Sequence, residues 1–203
     1  MKQDRKQLSQ AAFDQQAAVY DTGIQGSHAR SLYPYLLQEI GRACGERVLD
    51  VGCGTGALLG QILSEDPRRQ VTGLDLSANM LNQARRRLGD RAELVQGDSE
   101  HLPFPDRSFD VVVCCDSFHH YPDPQAVIGE VSRVLEFGGT FLLGDCWLPL
   151  PGRAVMNPLL RFSHEGDVKI YSRREIERLL GQEFHQITWK RAAGWAYVAG
   201  GVR

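Results

Sequence analysis

The chain contains no apolar run near the roughly 20 residues that a bilayer-spanning helix needs. It also lacks a basic excess. Its 23 Lys and Arg are outnumbered by 25 Asp and Glu, for a formal net charge of −2, which argues against a dedicated nucleic-acid binder. Arg85-Arg86-Arg87 and Arg173-Arg174 fall on predicted helices and read as solvated faces. The five cysteines show neither paired-disulfide nor zinc-like spacing, so no metal site is expected and a reducing compartment suits them. The opening MKQDRKQLSQ has no apolar centre of the kind a secretion signal carries, which makes a cytoplasmic location the expectation. Internal repeats and low-complexity segments are absent. What remains is a chain of 203 residues, 42% hydrophobic, long enough for one good core and one domain over 1–203.

The most informative stretch is VLDVGCGTG, residues 48–56. Val48, Leu49 and Val51 read as a short buried strand that carries Asp50 and runs into Gly52, Gly54 and Gly56. Glycines there permit a tight turn and bring a ligand against bare amides. The helix that follows, 57–65, points its positive N-terminal end at the same spot. Strand, glycine loop and helix in this order form a cradle for a nucleotide-containing cofactor. A dinucleotide fold would space the glycines G-x-G-x-x-G, whereas here they run G-x-G-x-G. A second strand, 70–77, carries Asp75, 19 residues after Gly56, where an acid can grip both ribose hydroxyls of an adenosine. A third, 92–100, ends on Asp98 and Ser99, an acceptor and an amide suited to an adenine edge.

Apolar periodicity predicts helices over roughly 8–20 and 28–43, then an alternation: strand 46–51, helix 56–65, strand 70–75, helix 77–88, strand 92–96, strand 109–115, helix 123–135 and strand 139–145. Asp123 is the expected N-cap of its helix, with Pro124 in the first helical position. Such alternation means a parallel sheet with helices on both faces. Ser172 and Glu175 make a capping box for a helix over 172–181, and β-rich runs at 184–191 and 195–201 predict a terminal antiparallel hairpin. Residues 146–170 carry three of the nine prolines, no clean period, and apolar residues Trp147, Met156, Leu159, Leu160 and Phe162. They are expected to form a lid or insertion at the sheet edge.

The G-x-G-x-G loop behind Asp50, with acids ending the next two strands, resembles motif I and its partners in the class I S-adenosylmethionine (SAM) methyltransferases. The likeness extends along nearly the whole chain. FDQQAAVYD (13–21) resembles the N-terminal segment of the small-molecule branch that includes the ubiquinone and menaquinone biosynthesis C-methyltransferases. GDSEHLPFPDRSFDVVV (97–113) is similar to that branch's adenine-binding loop and fourth strand. LEFGGTFLLGD (135–145) is similar to its LKPGG turn and fifth strand, with Glu136-Phe137 in place of the usual Lys-Pro. The resemblance implies a Rossmann-like three-layer α/β sandwich with a seven-stranded, mostly parallel sheet. Residues 1–43 would be a helical cap. The cofactor would be SAM, held by Tyr20, Asp50, Gly52, Cys53, Gly54, Gly56, Asp75, Leu76, Met80, Asp98, Ser99 and Cys115. Leu76 and Met80 would flank the adenine ring, and Tyr20, with Arg30, would close over the methionyl carboxylate.

In CCDSFHHYPDP (114–124), at the end of the fourth strand, His119 or His120 could take a proton from an acceptor; His119 is the favoured one. The same pair could equally scaffold the loop. Cys53, Cys115 and Cys146 fall at or after the ends of neighbouring strands, either as small apolar fillers or as thiols around one crevice for a soft ligand such as arsenite. No NPPY-type tetrapeptide of the amino-methylating DNA, RNA and glutamine enzymes is present, which favours a small, partly apolar acceptor. The expected reaction is in-line methyl transfer to a small molecule. The alternatives are a non-catalytic SAM-binding regulator or an NAD-dependent oxidoreductase. Acceptor and oligomeric state are not readable from the residues.

Overall fold

The computed structural model describes residues 2–203. Its elements in chain order are α1 (Lys2–Gln16), α2 (Ser27–Arg42), β1 (Arg47–Val51), α3 (Ala57–Glu65), β2 (Gln70–Asp75), α4 (Ala78–Leu88), β3 (Ala92–Gln96), β4 (Phe109–Cys115), α5 (Pro124–Val134), β5 (Leu135–Cys146), α6 (Leu150–Leu159), α7 (Arg173–Leu180), β6 (His185–Arg191) and β7 (Ala196–Val202). Short 3-10 turns at Gly89–Arg91, Phe118–His120 and Leu160–Phe162 complete the list. The seven strands form one sheet in the order β3-β2-β1-β4-β5-β7-β6. Strands β1 to β5 pair in parallel, and β7 runs antiparallel to both β5 and β6. The expected seven-stranded Rossmann-like sandwich with its antiparallel terminal hairpin is therefore the fold.

Alternation along the strands splits the apolar side chains between two cores, as a sheet covered on both faces requires. Val48, Val111 and Val113 join Leu32 and Leu36 of α2, Leu58 and Leu59 of α3, and Leu81 and Leu88 of α4. Leu49, Val51 and Val112 pack oppositely, on Val127 and Val131 of α5 and Ile176 and Leu180 of α7. The chain order reverses direction between β1 and β4. There the connections leave to opposite sides and open a crevice at the strands' C-terminal ends.

Caps form where the side chains predict them. Asp123 accepts the Ala126 amide ahead of Pro124, and Ser172 and Glu175 close a reciprocal capping box. Three expectations are corrected. Helix α1 spans 2–16, not 8–20, and buries only Ser9. Polar ties hold it: Lys6 to Asp98 and Glu100, each at 2.6 Å, and Arg5 to the carbonyls of Leu160, Arg161 and Asp167. Apolar periodicity is blind to such a helix. Strand β5 begins at Leu135, earlier than position 139, because Leu135 pairs with Phe109 and a register shift absorbs the EFGG turn. There Glu136 pairs with Arg47, and the Phe137 ring lies beneath the guanidinium groups of Arg107 and Arg203. Residues 146–170 contain a ten-residue helix, α6, none of whose residues is buried. Trp147, at the segment's start, is partly buried and packs edge-on against Trp189.

Candidate functional site

The crevice above β1 and β4 is a cleft of ≈ 950 Å³. Of the residues expected to bind a cofactor, Tyr20, Asp50, Gly52, Cys53, Gly54, Asp75, Leu76, Met80, Asp98, Ser99 and Cys115 all line it, and so does His120. Gly56 does not. Its φ of +69° places a hypothetical Cβ 2.8 Å from Leu88 Cδ1 and 3.1 Å from Ala84 Cβ, so it is a packing glycine that lets α3 approach α4. Arg30 is displaced too, because its guanidinium donates to the carbonyls of Tyr20 and Gly23 and pins the turn before α2.

The cleft's polar groups are arranged along the strand tips. Gly54, at φ +54° with open space where a Cβ would stand, donates its amide to Asp75 Oδ2 at 2.8 Å. Asp75 Oδ1 accepts the Ser77 amide at 2.8 Å, while Ser77 Oγ caps α4 through Met80 N. Asp75 is thus braced by the loop yet keeps free lone pairs on both oxygens. Its burial pushes the carboxyl up to about 6. Asp50 is 1% exposed, and its Oδ1 has no hydrogen-bond partner. Burial, with Asp75 adding to it, pushes that carboxyl up to about 8. A buried carboxylate oxygen facing a cleft without a donor is costly unless a ligand supplies one. At the far end Asp98 Oδ1 accepts the Glu100 amide and Oδ2 accepts from Lys6.

The two acids of the FDQQAAVYD segment fasten α1 and its following turn to this cleft. Asp14 accepts from Ser77 Oγ at 2.5 Å and from the Asn79 amide at 3.2 Å. Asp21 accepts from Thr55 Oγ1 at 2.7 Å and from Arg87. Lys6, Asp14 and Asp21 were missed as site residues because each acts through a contact far away in sequence.

A second cavity of ≈ 530 Å³ adjoins the first and shares Phe13, Tyr20, Asp116 and His120 with it; Gln16, Gln25, His28, His119, Cys146 and Glu165 complete its lining. His119 therefore faces this second cavity and not the cleft. Its Nδ1 lies 2.7 Å from Asp145 Oδ1. Burial opposes charge on His119, but Asp145 and the Cys146 thiol outweigh it and hold the imidazole well above its ordinary pKa. His120 behaves oppositely, since burial and then the charge of His119 hold it well below. His28 and Asp116, unforeseen from sequence, form a second pair at 2.6 Å. Asp116 sits at φ +54° on the tip of β4, a left-handed conformation uncommon outside glycine and common near sites. The three thiols do not share one crevice. Cys53 and Cys115 line the cleft, Cys146 lines the second cavity, and burial raises the pKa of each.

Comparison with known proteins agrees with this geometry. A protein-family model described as a methyltransferase domain matches residues 49–143. The chain is 44% identical over 102 residues to a fatty-acid O-methyltransferase of Mycolicibacterium smegmatis, covering 50% of this chain and 37% of that protein. It is 39% identical over 98 residues to a demethylmenaquinone methyltransferase of Thermotoga maritima, covering 48% and 42%. The chain thus spans less than half the length of these two relatives. Among solved structures, the YcgJ protein of Bacillus subtilis superposes with a TM-score of 0.68 at 28% identity, covering 80% of this chain and 70% of that one. A chain from the complex of the Haloferax volcanii Trm112 methyltransferase activator with a methyltransferase superposes at 0.80 and 21% identity, with 96% of both chains covered; it shows the shared fold. Residues 49–143 thus match a methyltransferase domain, set within the fold that the solved methyltransferase structures share.

Proposed function

We propose that this chain transfers a methyl group from S-adenosylmethionine to a small-molecule acceptor. The observation that carries the reading is the orphaned Oδ1 of Asp50, buried in the cleft wall one strand tip away from Asp75. A cofactor with an ammonium at one end and a ribose diol in the middle supplies the donors these carboxylates lack. In this assignment Asp50 receives the methionyl ammonium, Asp75 the ribose hydroxyls, and Asp98 with Ser99 the adenine edge. Leu76 and Met80 flank the ring, and Tyr20 closes the methionyl end. When bound, the cofactor supplies an electrophilic methyl group on a good leaving group, so the protein's work is alignment and exclusion of water. Helix α1 and residues 163–169 do the excluding. Gln16 Nε2 donates to Glu165 at 2.6 Å, and Gly166 packs against Arg5 and Ser9.

The second cavity is the acceptor's compartment in this reading. His120 borders both cavities and is kept neutral, so it is the imidazole placed to receive a proton from the acceptor, with His119 and Asp145 as its positioning groups. A cavity of this size and a net charge of −2 favour a small molecule over nucleic acid. Five free thiols fit a reducing, cytoplasmic setting, and among the described residues no helix is long and apolar enough to cross a membrane. We read residues 2–203 as one functional unit. The test is calorimetry with S-adenosylhomocysteine, then a methyl-transfer screen against carboxylic acids, phenols, quinols, amines, thiols and arsenite. Saturable binding without turnover of any acceptor would favour the regulator reading. Binding of NADH in its place would overturn the assignment.

A further inference from the structure

Beside the second cavity, three side-chain atoms converge; the methyl-transfer reading uses His120 as base and His119 as its positioning group, and leaves Asp167 without a role. His119 Nε2 lies 3.4 Å from Asp167 Oδ1, and His120 Nδ1 lies 3.3 Å from the same oxygen. All three atoms are within 4.8 Å of one another. His120 is 7% exposed, and its Nδ1 makes no hydrogen bond. We propose that His119 Nε2, His120 Nδ1 and Asp167 Oδ1 form a binding site for a divalent transition-metal ion of the zinc type.

The distances favour ligation over hydrogen bonding. Two donors on a tetrahedral ion at metal–ligand bonds of 2.0–2.1 Å stand about 3.3–3.4 Å apart. The two contacts to Asp167 Oδ1 have that separation. The supporting groups are those a metal site requires. Asp145 Oδ1 accepts a hydrogen bond from His119 Nδ1 at 2.7 Å, which turns Nε2 toward Asp167. Ser163 Oγ donates to the other oxygen of Asp167. The His119 carbonyl accepts the amides of Val168, at 2.8 Å, and Lys169, at 3.2 Å, so the two halves of the site are tied through backbone before any ion arrives. Two carboxylates, Asp145 and Asp167, flank His119, a concentration of negative charge suited to a cation that displaces the proton from Nε2. An overlapping trio, His119, Asp145 and Cys146, is the weaker choice because its His119–Asp145 contact is already a direct hydrogen bond. Paired imidazoles with a carboxylate suit zinc, iron, cobalt or nickel better than magnesium or calcium.

An ion here occupies the lone pair with which His120 would otherwise take the acceptor's proton. In the loaded protein, the ion's charge beside the same cavity then lowers the pKa of a bound acceptor hydroxyl. The site itself does not depend on methyl transfer and is tested without it. Tag-free, metal-free full-length protein is titrated with Co2+ in the absence of cofactor, followed by displacement with Zn2+. One equivalent should give the visible d–d bands of four-coordinate cobalt without a thiolate charge-transfer band. Binding should release protons and tighten as pH rises. Asp145→Asn, which leaves the ligands in place, should weaken binding about 10- to 100-fold; Asp167→Ala should weaken it at least as much, with circular dichroism confirming the fold. No stoichiometric cobalt spectrum, or identical titrations for wild type and both variants, would overturn the proposal. A charge-transfer band abolished by Cys146→Ser would overturn it in favour of the Cys146 trio.

Discussion

Asp145 Oδ1 accepts from His119 Nδ1 at 2.7 Å, and Asp145 Oδ2 accepts the backbone amide of the same histidine at 3.1 Å. One carboxylate at the end of β5 therefore fixes both the ring and the main chain of the turn that follows β4. Asp145 is 1% exposed, and a buried acid of this kind persists only when it is paired. The arrangement links the sheet's centre to both cavities.

The stability of that pair has a defined pH window. His119's folded pKa is raised, so its contribution is complete below the unfolded value of about 6.5 and is lost as pH rises through the folded one. Asp145's is lowered, so its contribution is present above about 3.9 and lost as pH falls through the folded value. Asp145→Asn should therefore destabilise the protein by about 3–5 kcal/mol near neutrality. The gap from wild type should narrow as pH climbs past His119's folded pKa. Urea denaturation of both proteins across the pH range checks this; a gap independent of pH would contradict it.

Asp50 carries the opposite lesson, that a binding group can weaken the empty protein. Its carboxyl is raised to about 8 by burial first and Asp75 second. The associated stability is complete below the unfolded value of about 3.9 and lost as pH rises through the folded one. Asp75, raised to about 6, adds a loss of the same sign. Asp50→Asn should flatten this decline and stabilise unliganded protein by about 1–3 kcal/mol at alkaline pH. It should also weaken S-adenosylhomocysteine at least tenfold. Thermal unfolding with and without ligand measures both effects.

Cofactor affinity should depend on Asp75 for a different reason. Two charge-assisted bonds from ribose hydroxyls, each worth about 1.5–3 kcal/mol, predict a loss on the order of 10²-fold for Asp75→Ala. S-adenosylmethionine and S-adenosylhomocysteine should suffer equally. Asp75→Asn keeps an oxygen to brace the Gly54 or Ser77 amide and separates binding from loop collapse. Calorimetric affinities equal to wild type would remove the ribose assignment.

Much of this was legible because local chemistry and global fold agree. Strands β2, β3 and β4 sit at their predicted residues, since short β-rich runs bounded by turn residues leave little choice. The glycine loop and the acids at three strand tips placed the cleft. What escaped detection was set by distant pairings. Helix α1 is held by Lys6 and Arg5 rather than by an apolar stripe. The fate of His119 was decided by Asp145, 26 residues on, and no spacing rule carries that information. His28 entered the site only because α2 lies against the tip of β4, where Asp116 Oδ1 lies 2.6 Å from its Nδ1.

The same ties predict cooperative closure. Lys6, Asp14, Asp21 and Gln16 join α1 and its turn to the cleft and to residues 163–169. Amide protection in 2–21 and 163–169 should therefore rise together when S-adenosylhomocysteine binds, because water exclusion needs both. Hydrogen exchange reads each segment separately. Protection gained in one alone would show that they are not a single cover.

The roles of the paired histidines separate in turnover, measured on chelator-treated protein with an acceptor found by the screen. His120→Gln should cut turnover by about 10²–10⁴-fold where the acceptor must lose a proton, the usual worth of general-base help. Its acid limb should disappear from the pH profile. His119→Gln should act indirectly and with a definite sign. The charge on His119 is the second cause, after burial, that holds His120 below its ordinary pKa. Removing that charge should raise His120's pKa and move the acid limb of turnover toward higher pH, with a smaller loss at the plateau. Cofactor affinity should stay nearly constant in His119→Gln, whose side chain lies outside the cleft. A limb that stays in place in His119→Gln, or survives in His120→Gln, would leave alignment alone as the catalytic strategy and reduce the pair to scaffold.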